Sequence, residues 1–173
     1  MSELKLNYKF DKQKHRHYMN DEHFVLHCHH YATLVTQLAI DAEELVKGTG
    51  ILEKSSEESF YKFLSDYFAK NGVSDPAERV EAGCKMFAEL GLGKLEAASA
   101  GESGGEILMR HSHVDEGWVK KWGTNDSAVN FIGSGYIAGM FSAVYGKPVG
   151  SFNVEETQSI VSGAGHSVFK VQA

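Results

Sequence analysis

The sequence has little cysteine and little proline, and it lacks any strongly basic segment. Its 173 residues include only two cysteines, Cys28 and Cys84, and two prolines. Two cysteines give no disulfide framework, and the first residues form no apolar leader, so we expect a protein of the reducing cytoplasm. The net charge of −6 and the absence of a lysine- or arginine-rich run argue against nucleic-acid binding, which needs a basic surface.

Long apolar runs are also missing. The nearest approach to a membrane span is residues 128–145, which at 18 residues are at the short limit and include Asn130, three glycines and two serines. We interpret this segment as a buried core helix and expect no membrane partner. With 42% hydrophobic residues and no obvious linker, the sequence predicts a single domain over residues 1–173.

The first half of the chain has the apolar spacing of helices. Residues 4–10 alternate apolar and polar side chains, which predicts an edge strand. A first helix is predicted from Asp21 to Gly48, and a capping box of Ser55 and Glu58 predicts the start of a second. The dipeptide Asp75-Pro76 predicts the start of a third helix.

The second half has the spacing of strands around one further helix. Strands are predicted at 94–100 and 106–114, a short helical turn at 115–121, and a helix within 128–145 that is capped by Asn125 or Asp126. Two strands joined by a glycine turn follow. This order predicts an α+β fold in which the helices pack on an antiparallel sheet.

The predicted helix within 128–145 contains three glycines, Gly133, Gly135 and Gly139. Each costs roughly 1 kcal/mol relative to alanine in a helix interior. We therefore expect another helix, a sheet or a ligand to lie very close to this backbone.

Residues 125–171 resemble the C-terminal signature of the 4-vinyl reductase domain family. That signature is a Gly-x-x-x-Gly helix followed by Glu-x-x-Cys-x-x-x-Gly-x-x-x-Cys-x-Phe. Glu156, Gly163 and Phe169 are in register with it, while Ser159 and Ser167 occupy the two cysteine positions. The resemblance implies a fold related to haem-based nitric-oxide sensors and to a vesicle-tethering subunit, a homodimer, and a pocket for an apolar or tetrapyrrole-like ligand. Some relatives hold zinc through the two cysteines, and serine is a poor zinc ligand.

A ligand pocket is expected between the glycine-containing helix and the sheet. The candidate lining residues are aromatic side chains and glycines of that region, namely Trp118, Phe131, Gly135, Tyr136 and Gly139. The alternative for each aromatic residue is an ordinary place in the hydrophobic core.

Nine histidines, several of them clustered, suggest a second kind of site. On a helix, His23, His27 and His30 lie within about 60° of one another, and His27 continues the apolar stripe and is expected to be buried. On a strand, His111 and His113 share a face about 7 Å apart. For each histidine the alternative is a core residue satisfied by hydrogen bonds, or an exposed one.

If the two groups converge, His27, His30, His111 and His113 could hold zinc or iron. Two main functions are thus predicted. The first is a sensor or carrier domain that binds a small apolar molecule or a tetrapyrrole such as haem, as a homodimer. The second is a histidine-ligated metalloprotein, which could be a metal-dependent enzyme. A scaffold role is the third alternative, and no catalytic residue is predicted.

Overall fold

The computed structural model describes residues 4–173 and has an α+β fold with helices and antiparallel sheets. A three-stranded sheet comes first, made of β1 (Tyr8–Asp11), β2 (Arg16–Met19) and β3 (Glu22–Phe24). Four helices follow: α1 (His29–Asp41), α2 (Glu43–Val46), α3 (Gly48–Asn71) and α4 (Pro76–Glu89).

A second sheet and two helices complete the fold. The elements are β4 (Gly93–Gly101), β5 (Gly104–Ser112), α5 (His113–Trp122), α6 (Phe131–Tyr145), β6 (Asn153–Gln158), a 3-10 turn (Ile160–Ser162) and β7 (Ser167–Gln172). The four strands of this sheet are antiparallel, in the order β4-β5-β7-β6. Within residues 4–173, no helix is both long enough and apolar enough to cross a bilayer.

Helix α6 lies at the centre of the molecule and packs closely against α3. A Cβ atom on Gly135 would lie 2.2 Å from the carbonyl oxygen of Glu53, and one on Gly139 would lie 2.6 Å from that of Glu57. The Ser56 hydroxyl also donates a hydrogen bond to the Ile132 carbonyl over 2.8 Å. Another helix is therefore the close neighbour of Gly135 and Gly139, whereas Gly133 lies against the side chains of Asn130 and Met109.

The predicted first helix is wrong in its N-terminal part. Asn20 and Asp21 have positive φ angles of 50° and 72° and connect β2 to β3, where Met19 pairs with Glu22. Asparagine and aspartate tolerate this left-handed conformation, which a two-residue hairpin turn requires. His23 consequently lies on a strand, and α1 begins only at His29.

The predicted second helix starts too late in the sequence. Helix α3 begins at Gly48, directly after Lys47, whose positive φ of 57° separates it from α2. A Cβ atom on Gly48 would lie 2.3 Å from the Ala39 carbonyl oxygen, so this glycine permits a close crossing with α1. The third helix begins as predicted, with Asp75 accepting a hydrogen bond from the Glu78 amide over 3.0 Å.

Two side chains set the starts of α5 and α6. Ser112 accepts a hydrogen bond from the Asp115 amide over 3.0 Å, which ends β5 and begins α5 at His113. Asn130, and not the predicted Asn125 or Asp126, caps α6 by accepting from the Gly133 amide over 2.9 Å. Because His111 is on a strand and His113 on a helix, they do not share a strand face.

The three-stranded sheet pairs only with itself and covers one side of the helices. Its contacts with α3 include two ion pairs, Lys62 with Glu22 at 3.1 Å and Lys70 with Asp21 at 3.9 Å, and all four side chains are more than half exposed. Exposed ion pairs of this kind stabilise weakly, by about 0–1 kcal/mol each. The ion pairs therefore contribute little to holding this sheet in place.

Candidate functional site

Two adjoining cavities, both open to solvent, lie between the three-stranded sheet and the helices beneath it. Their volumes are about 340 Å³ and about 180 Å³, and Met19, Phe24 and Leu90 line both. The larger one is completed by side chains from β3 and α3, namely Glu22, His23, Ser59, Phe60, Lys62 and Phe63. Together they provide a mainly apolar space on the scale of small-molecule pockets.

The smaller cavity has a histidine at its inner end. His113 is the first residue of α5, and its Nε2 is buried and has no hydrogen-bond partner in the described structure. Burial lowers the pKa of His113, and the neighbouring His27 and His29 lower it further. The lowered pKa favours the neutral imidazole, whose Nε2 is buried beside the cavity.

The structure brings together only part of the predicted histidine site. The ring centroids of His27 and His113 are 5.3 Å apart, but His27 is exposed, whereas it was expected to be buried. His111 is exposed, and its Nδ1 lies 3.1 Å from a carboxylate oxygen of Glu116. His30 lies against His29, with 4.2 Å between the ring centroids.

These histidines do not form a metal site in the described structure. No group of three or more histidine, cysteine, aspartate or glutamate residues within residues 4–173 is arranged to hold a metal ion. Of the four histidines, His27 from the extended segment before α1 and His113 at the start of α5 lie together, while His30 and His111 have other neighbours. A histidine-bound zinc or iron stays a prediction.

The residues predicted to line the ligand pocket lie elsewhere than the two cavities. Tyr136 is 0% exposed and its hydroxyl donates to the Gly83 carbonyl over 2.7 Å, while Gly135 and Gly139 contact α3. Trp118 packs with Val129 and Val161 in a separate cluster, and Phe131 is half-buried at the start of α6. Their role in ligand binding stays a prediction.

A cluster of buried polar side chains lies between α5 and the end of the β6–β7 hairpin. Asp115 is 0% exposed, and its Oδ2 accepts a hydrogen bond from the Asn130 amide over 2.9 Å. The carboxylate oxygens of Glu156 are buried too, and hydrogen bonds from Ser159, Ser167 and the Asn130 backbone act to lower its pKa. We call this the carboxylate cluster; its members are Ser112, Asp115, Asn130, Glu156, Ser159 and Ser167.

Burial raises the pKa of both carboxyl groups in the carboxylate cluster. The pKa of Asp115 rises to about 6, chiefly because burial disfavours the charged form, although the nearby Ser112 and Asn130 oppose this. The pKa of Glu156 rises to about 7, first through burial and then through the charge of Asp115. Neither residue takes part in any of the ion pairs observed within residues 4–173.

The carboxylate cluster contains the three signature positions Glu156, Ser159 and Ser167. Its donor atoms are oxygens, apart from the Asn130 amide nitrogen, which already donates to Asp115 and Ser112. Zinc in proteins is held mainly by thiolate and imidazole ligands, and the cluster offers neither. The residues present do not fit a zinc site of the kind that the resemblance implies.

Comparisons with known proteins support the fold. No family model matches the chain, and no curated protein sequence matches it either. The structure is similar to the phenol-responsive sensory domain of the transcription activator PoxR solved with phenol, with a TM-score of 0.76 at 14% identity, over 95% of this chain and 84% of that one.

It is also similar to a trafficking protein particle complex subunit 3 from Naegleria fowleri, covalently bound to palmitic acid. The TM-score is 0.51 at 15% identity, over 82% of this chain and 89% of that one. The chain thus has the predicted α+β fold, which it shares with a sensory domain and a trafficking protein particle complex subunit.

Proposed function

We propose that this protein is a small-molecule-binding domain, acting as a sensor or carrier for an apolar ligand with one hydrogen-bonding group. The observation that carries the proposal is the pair of adjoining cavities under the three-stranded sheet, about 340 and 180 Å³ in volume. Phe24, Phe60 and Phe63 supply apolar contact area, and His113 adds an imidazole ring to the wall of the smaller cavity. Such a lining favours a compact apolar body with one hydroxyl or carbonyl group.

The similar structures are consistent with this ligand class. One of them was solved with phenol and the other is bound to palmitic acid, and both molecules combine an apolar body with one polar end. Membership of the 4-vinyl reductase domain family, and the binding of a tetrapyrrole, remain predictions from the sequence resemblance.

The exposed face of α1 favours a homodimer. Tyr31, Leu34 and Leu38 are 58%, 45% and 57% exposed and lie on one side of the helix, and Leu45 and Val46 of α2 are 85% and 56% exposed. Large apolar side chains grouped in this way usually mark an interaction surface. We expect a dimer by light scattering and a monomer for the Leu34→Glu/Leu38→Glu variant, while Ser55→Glu on α3 leaves the dimer intact.

Ligand binding is tested with phenol and palmitate as probes, by calorimetry on the purified full chain. The Ser59→Trp variant places an indole in the larger cavity and should weaken binding of the accepted probe at least tenfold. Ser55→Trp is the matched control, because Ser55 is exposed one turn earlier on α3 and lines neither cavity. The proposal is wrong if neither probe binds and native mass spectrometry finds no co-purified ligand.

A histidine-bound metal is the second candidate function. It is favoured by the closeness of His27 and His113 and by the buried, unpartnered Nε2 atoms of His29 and His113. Elemental analysis of untagged protein tests it. About one zinc or iron per chain, lost in His113→Ala, would favour the metalloprotein, and a metal-free protein would exclude it.

A further inference from the structure

We propose that the carboxylate cluster is a metal-free brace, in which a proton bridged by the Ser167 hydroxyl replaces the zinc ion that the signature resemblance implies. The two acids lie on different elements, Asp115 on α5 and Glu156 on β6, and Ser167 begins β7. The hydroxyl of Ser167 is within hydrogen-bonding reach of both carboxyl groups. The brace is separate from the ligand cavities and from the histidines.

The hydrogen-bonding capacity of Ser167 matches a pair of acids that holds one proton. A hydroxyl group donates once and accepts twice. Ser167 Oγ already accepts from the Ile160 amide over 3.0 Å, so one donor and one acceptor position remain for the two carboxyl groups. Both positions are used when the protonated carboxyl of Glu156 donates to Ser167 and Ser167 donates to the carboxylate of Asp115. With both acids ionised, the single donor of Ser167 could serve only one of them.

The charges around the pair also favour one proton. Asp115 is 0% exposed, and neither acid takes part in an ion pair within residues 4–173. Burial raises the pKa of Glu156 to about 7 and that of Asp115 to about 6, so Glu156 holds the proton between these values. The charge of Glu116 on α5 also raises the pKa of Asp115. Two ionised carboxylates buried without a cation would be strongly destabilising.

The other members of the cluster bind each acid from its own side. Asp115 Oδ2 accepts from the Asn130 side-chain amide over 2.9 Å, while the Ser159 hydroxyl and the Asn130 backbone form hydrogen bonds with Glu156. Ser159 is itself held by the Val161 amide, which donates to its Oγ over 3.3 Å. Hydroxyl and amide groups are ordinary partners of carboxyl groups, whereas zinc needs ligands that are absent from this cluster. Hydrogen bonds alone therefore connect α5, the cap of α6 and the β6–β7 hairpin.

The test for a metal compares the purified full chain before and after chelator treatment, with Zn²⁺, Mg²⁺ and Ca²⁺ then added separately. A structural metal at a hundredfold excess over Kd would raise the melting temperature by about 5–10 °C. We expect the responses of wild-type protein and of Glu156→Gln to each metal to differ by less than about 1 °C, because no ion is bound at the cluster.

Two substitutions of Glu156 test the proton bridge. Glutamine has the size of glutamate, and its amide can donate to Ser167 in place of the acid proton, so Glu156→Gln should melt within about 2 °C of wild type at about pH 6.5. Alanine cannot donate or accept, so Glu156→Ala should melt about 5–10 °C lower. Glu155→Ala is the matched control on the same strand, and because Glu155 is exposed it should shift the melting temperature by less than about 2 °C.

Difference infrared spectroscopy detects the proton itself. At about pH 6.5, between the pKa values of the two acids, the folded wild type should show the carbonyl band of a buried protonated carboxyl group. Glu156→Gln should lack this band. Glu155→Gln should retain it, because Glu155 is exposed.

Three results would overturn the proposal. The first is a rise in melting temperature with any of the three metals that Glu156→Gln removes, which would place an ion at the cluster. The second is a Glu156→Gln variant that is as unstable as Glu156→Ala or does not fold, because the charge of the side chain would then be required. The third is an infrared spectrum in which no protonated carboxyl band depends on Glu156.

Discussion

The side-chain amide of Asn130 connects the start of α6 to the buried carboxylate of Asp115. Its Nδ2 donates to Asp115 Oδ2 over 2.9 Å, while its Oδ1 accepts from the Gly133 amide over 2.9 Å. One residue therefore caps the central helix and satisfies one oxygen of a buried acid. This double role gives the first prediction.

Replacing Asn130 with alanine should lower the free energy of unfolding by about 2–4 kcal/mol, since it removes a helix cap and leaves a buried carboxylate oxygen unpaired. Asp126→Ala is the control, because Asp126 is exposed and does not cap the helix, and it should change stability by less than about 0.5 kcal/mol. Urea unfolding measures both. Equal effects would contradict the assignment of the cap to Asn130.

Two glycine substitutions should have opposite effects. Gly139→Ala places a Cβ atom 2.6 Å from the Glu57 carbonyl oxygen, so α3 and α6 must separate, at a cost of about 1–3 kcal/mol. Gly50→Ala lies within α3 with nothing inside 4 Å, so it should stabilise the protein by roughly 0.5–1 kcal/mol. Melting temperatures that move in the same direction would show that the contact between α3 and α6 is not as described.

Stability should fall as the pH rises through the pKa values of the two buried acids. The pKa of Asp115 is raised from 3.8 to about 6 and that of Glu156 from 4.5 to about 7, so the folded protein binds more protons than the unfolded chain between those values. The free energy of unfolding therefore declines from about pH 4 to about pH 7.

Urea midpoints measured across this range check the prediction. Glu156→Gln should flatten the slope, whereas the exposed Glu155→Gln should preserve it. If the free energy of unfolding of the wild type instead rose over this range relative to that of Glu156→Gln, the assignment of raised pKa values to the two acids would be wrong.

The two thiols should react at very different rates. Burial raises the pKa of Cys84 to about 11, whereas Cys28 is exposed. At pH 8 a colourimetric thiol reagent should modify Cys28 quickly and Cys84 slowly, and Cys28→Ser should leave only the slow phase. In protein unfolded by urea, both thiols should react at the same fast rate. Two fast phases in the folded protein would contradict the burial of Cys84.

The sequence predicts those elements whose signals are local. Asp75-Pro76 marks the start of α4, and the glycine-rich loop at 101–105 between two strand-like segments marks the β4–β5 hairpin; both are confirmed. The prediction fails at Asn20-Asp21, where a two-residue turn interrupts a segment with helical apolar spacing. It fails again at Ser112, because a serine that caps a helix and a serine on a strand look alike in one sequence.

The candidate sites depend on tertiary placement, which no local pattern records. Phe60 and Phe63 show in the sequence as the apolar face of a helix, but the cavity beside them is a gap between packed elements. Glu156, Ser159 and Ser167 are found through the spacing of the family signature. Asn130 shows only as a polar residue inside an apolar segment, which is a usable signal for a buried hydrogen-bond network.

The three-stranded sheet is hydrogen-bonded only within itself and covers the cavities through Met19 and Phe24. A molecule bound in the cavities would contact the inner face of this sheet. Ligand binding and the packing of the sheet on the helices would therefore be energetically coupled. By thermodynamic linkage, any interaction that favours the packing of the sheet on α3 must increase the affinity for the ligand by the same factor by which the ligand favours that packing. Ligand binding would therefore stabilise the docked position of the N-terminal sheet, and stabilising that position would strengthen ligand binding.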